Sequence, residues 1–306
     1  MKRSLNGLER KLRRKTGTLI ERFGLIKEGD RIVLGLSGGK DSLALLWILS
    51  KLQKAAPVNF HLEALIIDPG IEEFTASANE LLIPYGTGLG IPVSLVPTRI
   101  AAIAFDGVTD KTETDAEIDA NTANETDADP DVETEPDAEP DAEPDAHTEI
   151  ETDDKPAIDK GMSPCFMCAR LRRGILVTEA LKRNCNILAL GHHGDDSVET
   201  LLMNMFFSGV ARALPPWYEA ERGMTVIRPM LLCLEEDIRE FAALAEMPIV
   251  DCPCPGKQRD LMRMKMKRLV SGLSSEHGRM IMESAIGGLG NIRPDSFCDP
   301  NILRKR

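Results

Sequence analysis

No run of about eighteen or more apolar residues occurs in the 306-residue chain, so a hydrophobic helix able to cross a bilayer is not expected. The first residues, Met1-Lys-Arg-Ser-Leu-Asn-Gly-Leu-Glu9, carry charge but no apolar core segment, so no secretory signal is expected and the chain is read as cytoplasmic, with no membrane partner. Cysteine is sparse. Seven, an odd number without an export signal, argue against a disulfide framework and for metal or sulfur chemistry. Large apolar residues are almost missing from residues 106 to 160, which include three tandem Glu-Pro-Asp-Ala units over 135–146. Such a stretch cannot bury enough surface to offset its ordering entropy, and is expected to be a disordered acidic insert in a surface loop.

That insert hides the charge of the rest. The formal net charge is −12, yet residues 106 to 160 hold 22 Asp/Glu against 3 Lys, leaving 27 acids and 34 Lys/Arg elsewhere, about +7. A basic body suits a polyanion such as RNA, and equally an ordinary solvated surface. Residues 4–23 set Leu5, Leu8, Leu12, Leu19, Ile20 and Phe23 at mostly helical spacing with Arg10, Lys11, Arg13, Arg14 and Lys15 between them. This basic amphipathic helix either packs on the body with its charges solvated or serves as an RNA arm.

The most informative stretch is Arg31-Ile-Val-Leu-Gly-Leu-Ser37-Gly38-Gly39-Lys40-Asp41-Ser42, an apolar run, a glycine pair and then an amphipathic run. That order reads as strand, tight turn and helix. Gly38 and Gly39 lack a Cβ, so the turn can take positive φ and let a ligand reach the backbone, with the amides of residues 38–42 facing out at a helix N-terminus. An amide nest of this kind favours a phosphate-like anion. Ser37 and Ser42 add hydroxyls, Lys40 a mobile positive charge, and Asp41 either caps the helix or holds Mg²⁺. The order is not that of the Walker loop. Ser-Gly-Gly-x-Asp-Ser after a buried strand resembles instead the pyrophosphate loop of the ATP pyrophosphatase superfamily, which implies cleavage of ATP between its α- and β-phosphates.

The chain continues with a crossover helix to Leu52 and a buried strand, His61–Asp68, ending in Asp68-Pro-Gly70. Asp68, at a strand's C-terminal end, is either a neighbour of the nucleotide or a turn-former. A helical stretch (Glu72 to Tyr85) and a strand (Ile91 to Pro97) follow. The alternation predicts an α/β fold with a doubly wound parallel sheet. After the insert come a helix to about Asn184, a strand over Ile187–Gly191 and a second polar loop, Gly191-His192-His193-Gly194-Asp195-Asp196, leading into a helix. The sheet rule puts that loop on the same rim as the first, making Gly191, His192, Asp195 and Asp196 candidate ATP neighbours, with Asp196 an alternative to Asp41 for Mg²⁺ and one of the two aspartates a candidate N-cap. Zinc on His192 and His193 is disfavoured because adjacent side chains diverge. A short strand over Val226–Leu232, a helix over Glu235–Glu246, a last strand over Pro248–Val250 and two C-terminal helices complete the reading. Its segments are a basic N-terminal helix (1–28), a nucleotide domain (29–105 and 161–250), the insert (106–160) and a C-terminal cysteine loop with helices (251–306).

Cys165 and Cys168 are spaced to reach one metal or cluster, but a lone C-x-x-C fits a zinc half-site, a redox pair, a cluster or two buried thiols. Cys252 and Cys254 follow a predicted strand and are candidates to join them. Cys185, Cys233 and Cys298 read as structural.

Taken together, Ser37-Gly-Gly-Lys-Asp-Ser42, Cys165-x-x-Cys168-x-Arg-Leu-Arg-Arg-Gly174, Gly191-His-His-x-Asp-Asp196, Leu202-x-Asn-Met-Phe206, Pro215-Pro216, Ile227-Arg-Pro229, Glu235-x-Asp237-Ile and Gly256-x-Gln258 resemble the tRNA 2-thiocytidine synthetase family of pyrophosphate-loop enzymes over most of the chain outside the insert. The resemblance implies an adenine nucleotide alpha hydrolase-like fold, ATP with Mg²⁺, a [4Fe-4S] cluster held by three cysteines, and 2-thiolation of the cytidine that opens the anticodon loop, position 32. Catalytic roles fall to Cys165, Cys168, Cys252, Lys40 and Asp41. The tRNA anticodon stem-loop is the expected partner, contacted by Arg170, Arg172, Arg173 and Arg212, although Arg172 also suits a carboxylate partner in the core. A cysteine desulfurase or free sulfide is the expected sulfur donor, and a homodimer is left open. One departure matters: Pro255 stands where the family has the second cysteine of its later pair, so Cys252 is the expected third ligand and Cys254 the alternative. Competing readings are a sibling 2-thiouridine or lysidine synthetase, the latter needing no cluster, and a zinc-bound RNA-binding or sulfur-relay protein.

Overall fold

The computed structural model describes residues 3–105, 164–251 and 261–296. The acidic insert, Cys252, Cys254 and Cys298 lie outside the described residues, as does the side chain of Cys165.

The described strands are β1 (Arg31–Gly35), β2 (His61–Asp68), β3 (Val93–Pro97), β4 (Ile187–Ala189), β5 (Trp217–Glu219) and β6 (Thr225–Ile227), forming one sheet in the order β3-β2-β1-β4-β6-β5. All neighbours are parallel except β5, which pairs antiparallel with β6. The helices are α1 (Leu5–Phe23), α2 (Lys40–Gln53), α3 (Glu72–Ser77), α4 (Ile83–Gly88), α5 (Ile100–Phe105), α6 (Pro164–Lys182), α7 (Gly194–Met203), α8 (Glu235–Leu244), α9 (Leu261–His277) and α10 (Met280–Leu289). The doubly wound parallel sheet is therefore as the alternation predicts. Strands β1 and β4 are neighbours from which the chain departs in opposite directions, so their C-terminal ends form the switch point where such sheets bind ligands.

Period-2 alternation explains the two layers. Ile32 and Leu34 of β1 and Leu62, Ala64 and Ile66 of β2 face a core shared with α1, α2 and α8, whereas Val33, Leu65 and Ile67 face α6 through Leu176 and Ala180. A third cluster, Val198, Leu234, Val270, Met282 and Ile286, joins α7, α9 and α10. Helix α1 packs on the body: Leu8, Leu12, Thr16 and Leu19 are buried, Ser4 caps it by accepting from the Gly7 amide, and Gly24 ends it in the left-handed conformation.

Some expectations need correction. Residues 248–250 are not a strand: Pro248 has no N–H to donate, and the segment makes one tie instead, Val250 N–H to the Gly38 carbonyl at 3.0 Å. The strands expected over 187–191 and 226–232 are shorter, the first giving way to the polar loop and the second ending before Arg228-Pro229. Strand β5 was not expected, since only its pairing with β6 defines it. The helix that starts at Glu72 contains a π turn over Ala78–Leu82, and α7 ends in another over Asn204–Ser208.

Asp237 in the first turn of α8 is fully buried and tied to Arg3, to Lys11 at 2.7 Å and to Arg279 at 3.1 Å. Burial raises its pKa, but Lys11 and then Arg279 outweigh that, and the net shift is downward. Removing one partner of a fully buried ion pair costs about 3–5 kcal/mol, and here the cations keep 27–33% of their exposure, so the effect is smaller. Asp237→Ala is expected to cost about 2 kcal/mol in denaturant unfolding, against almost nothing for Glu240→Ala, whose partner Arg3 retains other carboxylates.

Candidate active site

At the end of β1 the chain turns through Ser37-Gly38-Gly39, with Gly38 at φ +86°, where only glycine is unstrained. A Cβ on Gly38 would also lie 3.1 Å from the Val250 carbonyl oxygen. The Ser42 hydroxyl donates to the Gly39 carbonyl at 3.0 Å and accepts from the Ser37 amide at 3.2 Å, which folds the turn back on the helix it precedes. Gly39 is the N-cap of α2 and no side chain caps that helix, so its first-turn amides are presented to an anion. Asp41 is therefore not a capping residue.

The second polar loop lies against this turn. A Cβ on Gly191 would sit 3.0 Å from the carbonyl carbon of Asp41 and the nitrogen of Ser42, so only glycine allows the contact. Of the loop's polar residues the N-cap of α7 is His193, not an aspartate. The His193 Nδ1 accepts from the Asp196 amide at 3.4 Å, and the Asp196 carboxylate accepts from the His193 amide at 2.9 Å, a reciprocal capping box. Buried His193 has Nε2 3.7 Å from Asp41 Oδ1 and 3.4 Å from Asp196 Oδ2, which brings both expected Mg²⁺ ligands around one imidazole. Asp41 Oδ1 is buried without a hydrogen-bond partner. An orphaned carboxylate oxygen beside the anion-binding turn suits a Mg²⁺ that takes most of its remaining ligands from phosphate and water, and among the described residues no closed cage of three or more protein ligands competes with that arrangement.

The remaining expected residues divide. Lys40 ion-pairs with Asp41 at 3.0 Å and Glu235 at 3.1 Å; burial lowers its pKa, but the two carboxylates win and hold it charged. Asp195 accepts the Glu235 amide at 2.8 Å, tying α7 to α8, with the same oxygen 3.7 Å from His193 Nδ1. Asp68 is closed inside its own turn, accepting from Gly70 N at 2.9 Å and Thr75 Oγ1 at 2.6 Å, so the turn-forming reading accounts for both oxygens. Arg172 lies over the Phe74 ring at 5.8 Å with Nε and Nη2 buried, and among the described residues it has no carboxylate partner. Arg170 and Arg212 are exposed, and Arg173 reaches His192 electrostatically.

Helix α6 leads into β4, so it runs antiparallel to the strands and its start, with Cys165 and Cys168 one turn apart, lies at the rim that carries the turn. Cys168 is buried in the cluster containing Val33, Leu65 and Ile67. The i, i+3 spacing of these two cysteines within one helix is one that fits a cluster. Cys185 and Cys233 are buried thiols whose pKa values burial pushes up to about 12, consistent with structural roles.

His193, Glu199, Glu235, Arg263 and Lys267 were not singled out as site residues from the sequence. Glu235 bridges Lys40 and Lys267, and Arg263 reaches Asp196 at 3.0 Å and Glu199 at 3.9 Å. The Arg263/Lys267 spacing of one helical turn was the available signal. Burial raises the pKa of Glu235, but Lys40 and Lys267 outweigh it and bring the value to about 2. A depressed carboxylate stabilises the fold above its ordinary 4.5, and this contribution is lost as pH falls toward 2. His192 also shifts downward, for a different reason: burial, then Arg228, lowers its pKa to about 4, with Asp196 opposing. Because the unfolded chain binds that proton first, stability falls as pH drops from 6.5 toward 4. Urea midpoints for the parent chain are expected to decline between pH 7 and 5, and His192→Gln to flatten that slope.

Comparison with known proteins follows this geometry. The family model described as the PP-loop domain matches residues 8–116 and 149–267. The chain is 36% identical to a tRNA-cytidine(32) 2-sulfurtransferase of Syntrophotalea carbinolica, covering 96% of this chain and 94% of the other. It is 35% identical to one of Pelobacter propionicus, covering 96% and 90%. Among solved structures, the U34-tRNA thiolase NcsA from Methanococcus maripaludis with its [4Fe-4S] cluster is similar at a TM-score of 0.59 and 20% identity, over 95% of this chain and 81% of that one, a likeness in fold.

Proposed function

The chain belongs to the PP-loop family of tRNA-cytidine(32) 2-sulfurtransferases, and on that premise we propose that it replaces the C2 oxygen of cytidine 32 in tRNA with sulfur, converting ATP to AMP and pyrophosphate. The observation that carries this reading is the placement of an uncapped helix N-terminus behind Ser37-Gly-Gly39 on the same rim as the helix turn bearing Cys165 and Cys168.

Oxide is a poor leaving group, so the base oxygen first attacks the ATP α-phosphorus and pyrophosphate departs. The α2 amides, Ser37, Ser42 and Lys40 bind the pyrophosphate and stabilise its developing charge. Asp41 or Asp196 would hold Mg²⁺, which would supply positive charge to offset that of the phosphates. A sulfide equivalent then attacks C2, the C2–O bond breaks, and AMP leaves with the former base oxygen. Cys165, Cys168 and Cys252 would hold the [4Fe-4S] cluster, which would supply iron chemistry for handling sulfur at the sulfide level. Either a cysteine desulfurase or free sulfide provides that sulfur. The target base must be unstacked to reach the rim, with Arg170, Arg172 and Arg173 on its phosphates. Among the described residues no helix is long and apolar enough to cross a membrane. Nucleoside mass spectrometry of tRNA from cells lacking the gene tests the proposal: selective loss of 2-thiocytidine is expected, and an unchanged level overturns it.

A further inference from the structure

Helix α1 carries cations of two kinds. Arg3 and Lys11 are spent on Asp237, Glu236 and Glu240, and Arg13 reaches Glu9 at 4.0 Å, so these residues fasten the helix or pair along it. Arg10 and Arg14 are exposed and have no ion pair among the described residues. They stand one turn apart on the stripe Gly7, Arg10, Lys11, Arg14 of α1, where like charges at this spacing repel. Gly7 keeps the upper part of the stripe free of a side chain.

The stripe is tied to the reaction rim through one helical turn. Lys11 binds Asp237, and Glu235, two residues earlier on α8, binds Lys40 of the pyrophosphate-binding turn. Helix α1 packs on α8, so its outer face borders the rim that an RNA loop would approach. We propose that Arg10 and Arg14 form a backbone-phosphate clamp for the stem next to the anticodon loop, contributing affinity and orientation without reading bases. The inference rests on the tRNA reading above. It differs from the arginines of α6, which approach the flipped nucleotide itself.

The probe is a full-length unmodified tRNA transcript, with binding to the complete chain measured at several salt concentrations. Arg10→Gln/Arg14→Gln is expected to weaken binding about tenfold and to lower the slope of log K against log salt by about 1.5. KM for tRNA rises correspondingly, while kcat at saturating tRNA and KM for ATP stay level. Arg10→Lys/Arg14→Lys keeps the charges and retains the slope. Arg13→Gln, which removes an already paired cation from the same helix, changes the slope less. Parent-like slope and KM in the double glutamine variant, with tRNA bound normally by the parent, overturn the clamp alone. Failure of the parent to bind tRNA overturns the functional reading along with it.

Discussion

Cys168→Ala is expected to remove the iron of the anaerobically purified protein, about four atoms per chain in the parent, and to abolish 2-thiocytidine formation with it. A cluster with three protein thiolates cannot be held well by two, and Cys168 is the candidate ligand whose side chain is placed: buried at the rim, one turn from Cys165. The substitution deletes a single sulfur at a position 8% exposed, a small change that leaves the fold intact at a cost of about 1 kcal/mol. ATP cleavage dependent on tRNA is expected to persist, because Ser37, Lys40 and Ser42 are untouched. Retained iron together with retained 2-thiocytidine would remove Cys168 from the ligand set. The same assay on Cys252→Ala and Cys254→Ala identifies the third ligand, since only one of them should lose the iron.

Lys40→Ala is expected to lower kcat by about 10²–10³, the usual effect of deleting one preorganised group that stabilises developing charge. Lys40 is held between Asp41 and Glu235, so its ammonium is fixed before the nucleotide arrives, and both carboxylates keep it protonated. KM for tRNA should hardly move. Lys40→Arg is expected to recover little, because a planar fork does not replace a compact charge in this corner. A loss below threefold in kcat would show that the amides and the metal carry the pyrophosphate without this side chain.

Local signals accounted for the parts of the site that lie within one strand-turn-helix unit. Ser37–Ser42 and His61–Asp68 could be read because apolar runs, glycines and strand ends specify them within a few residues. Glu235 could not be read in the same way: its role depends on Lys40 and Lys267, which come from opposite sides of the sequence and meet only through the packing of α8 and α9. Strand β5 escaped for a similar reason, having pairing but little pattern of its own. Asp195 and Asp196 both lie beside His193, yet helical rotation sends one on to the α8 amide and the other to Arg263. The π turn that closes α7 leaves Phe206 and Phe207 more than half exposed, an outcome that 3.6-residue periodicity does not anticipate.

The single hydrogen bond from Val250 to Gly38 has a consequence for evolutionary drift in the ligand set. Two residues of chain reach no farther than about 7 Å from their origin, and four residues about twice that, so cysteines at 252 and 254 both start from the same moored point. Covalent reach thus makes the pyrophosphate-binding turn the fixed end of a short leash. Moving a thiol by two residues along that leash changes its greatest reach from the turn by only about 7 Å.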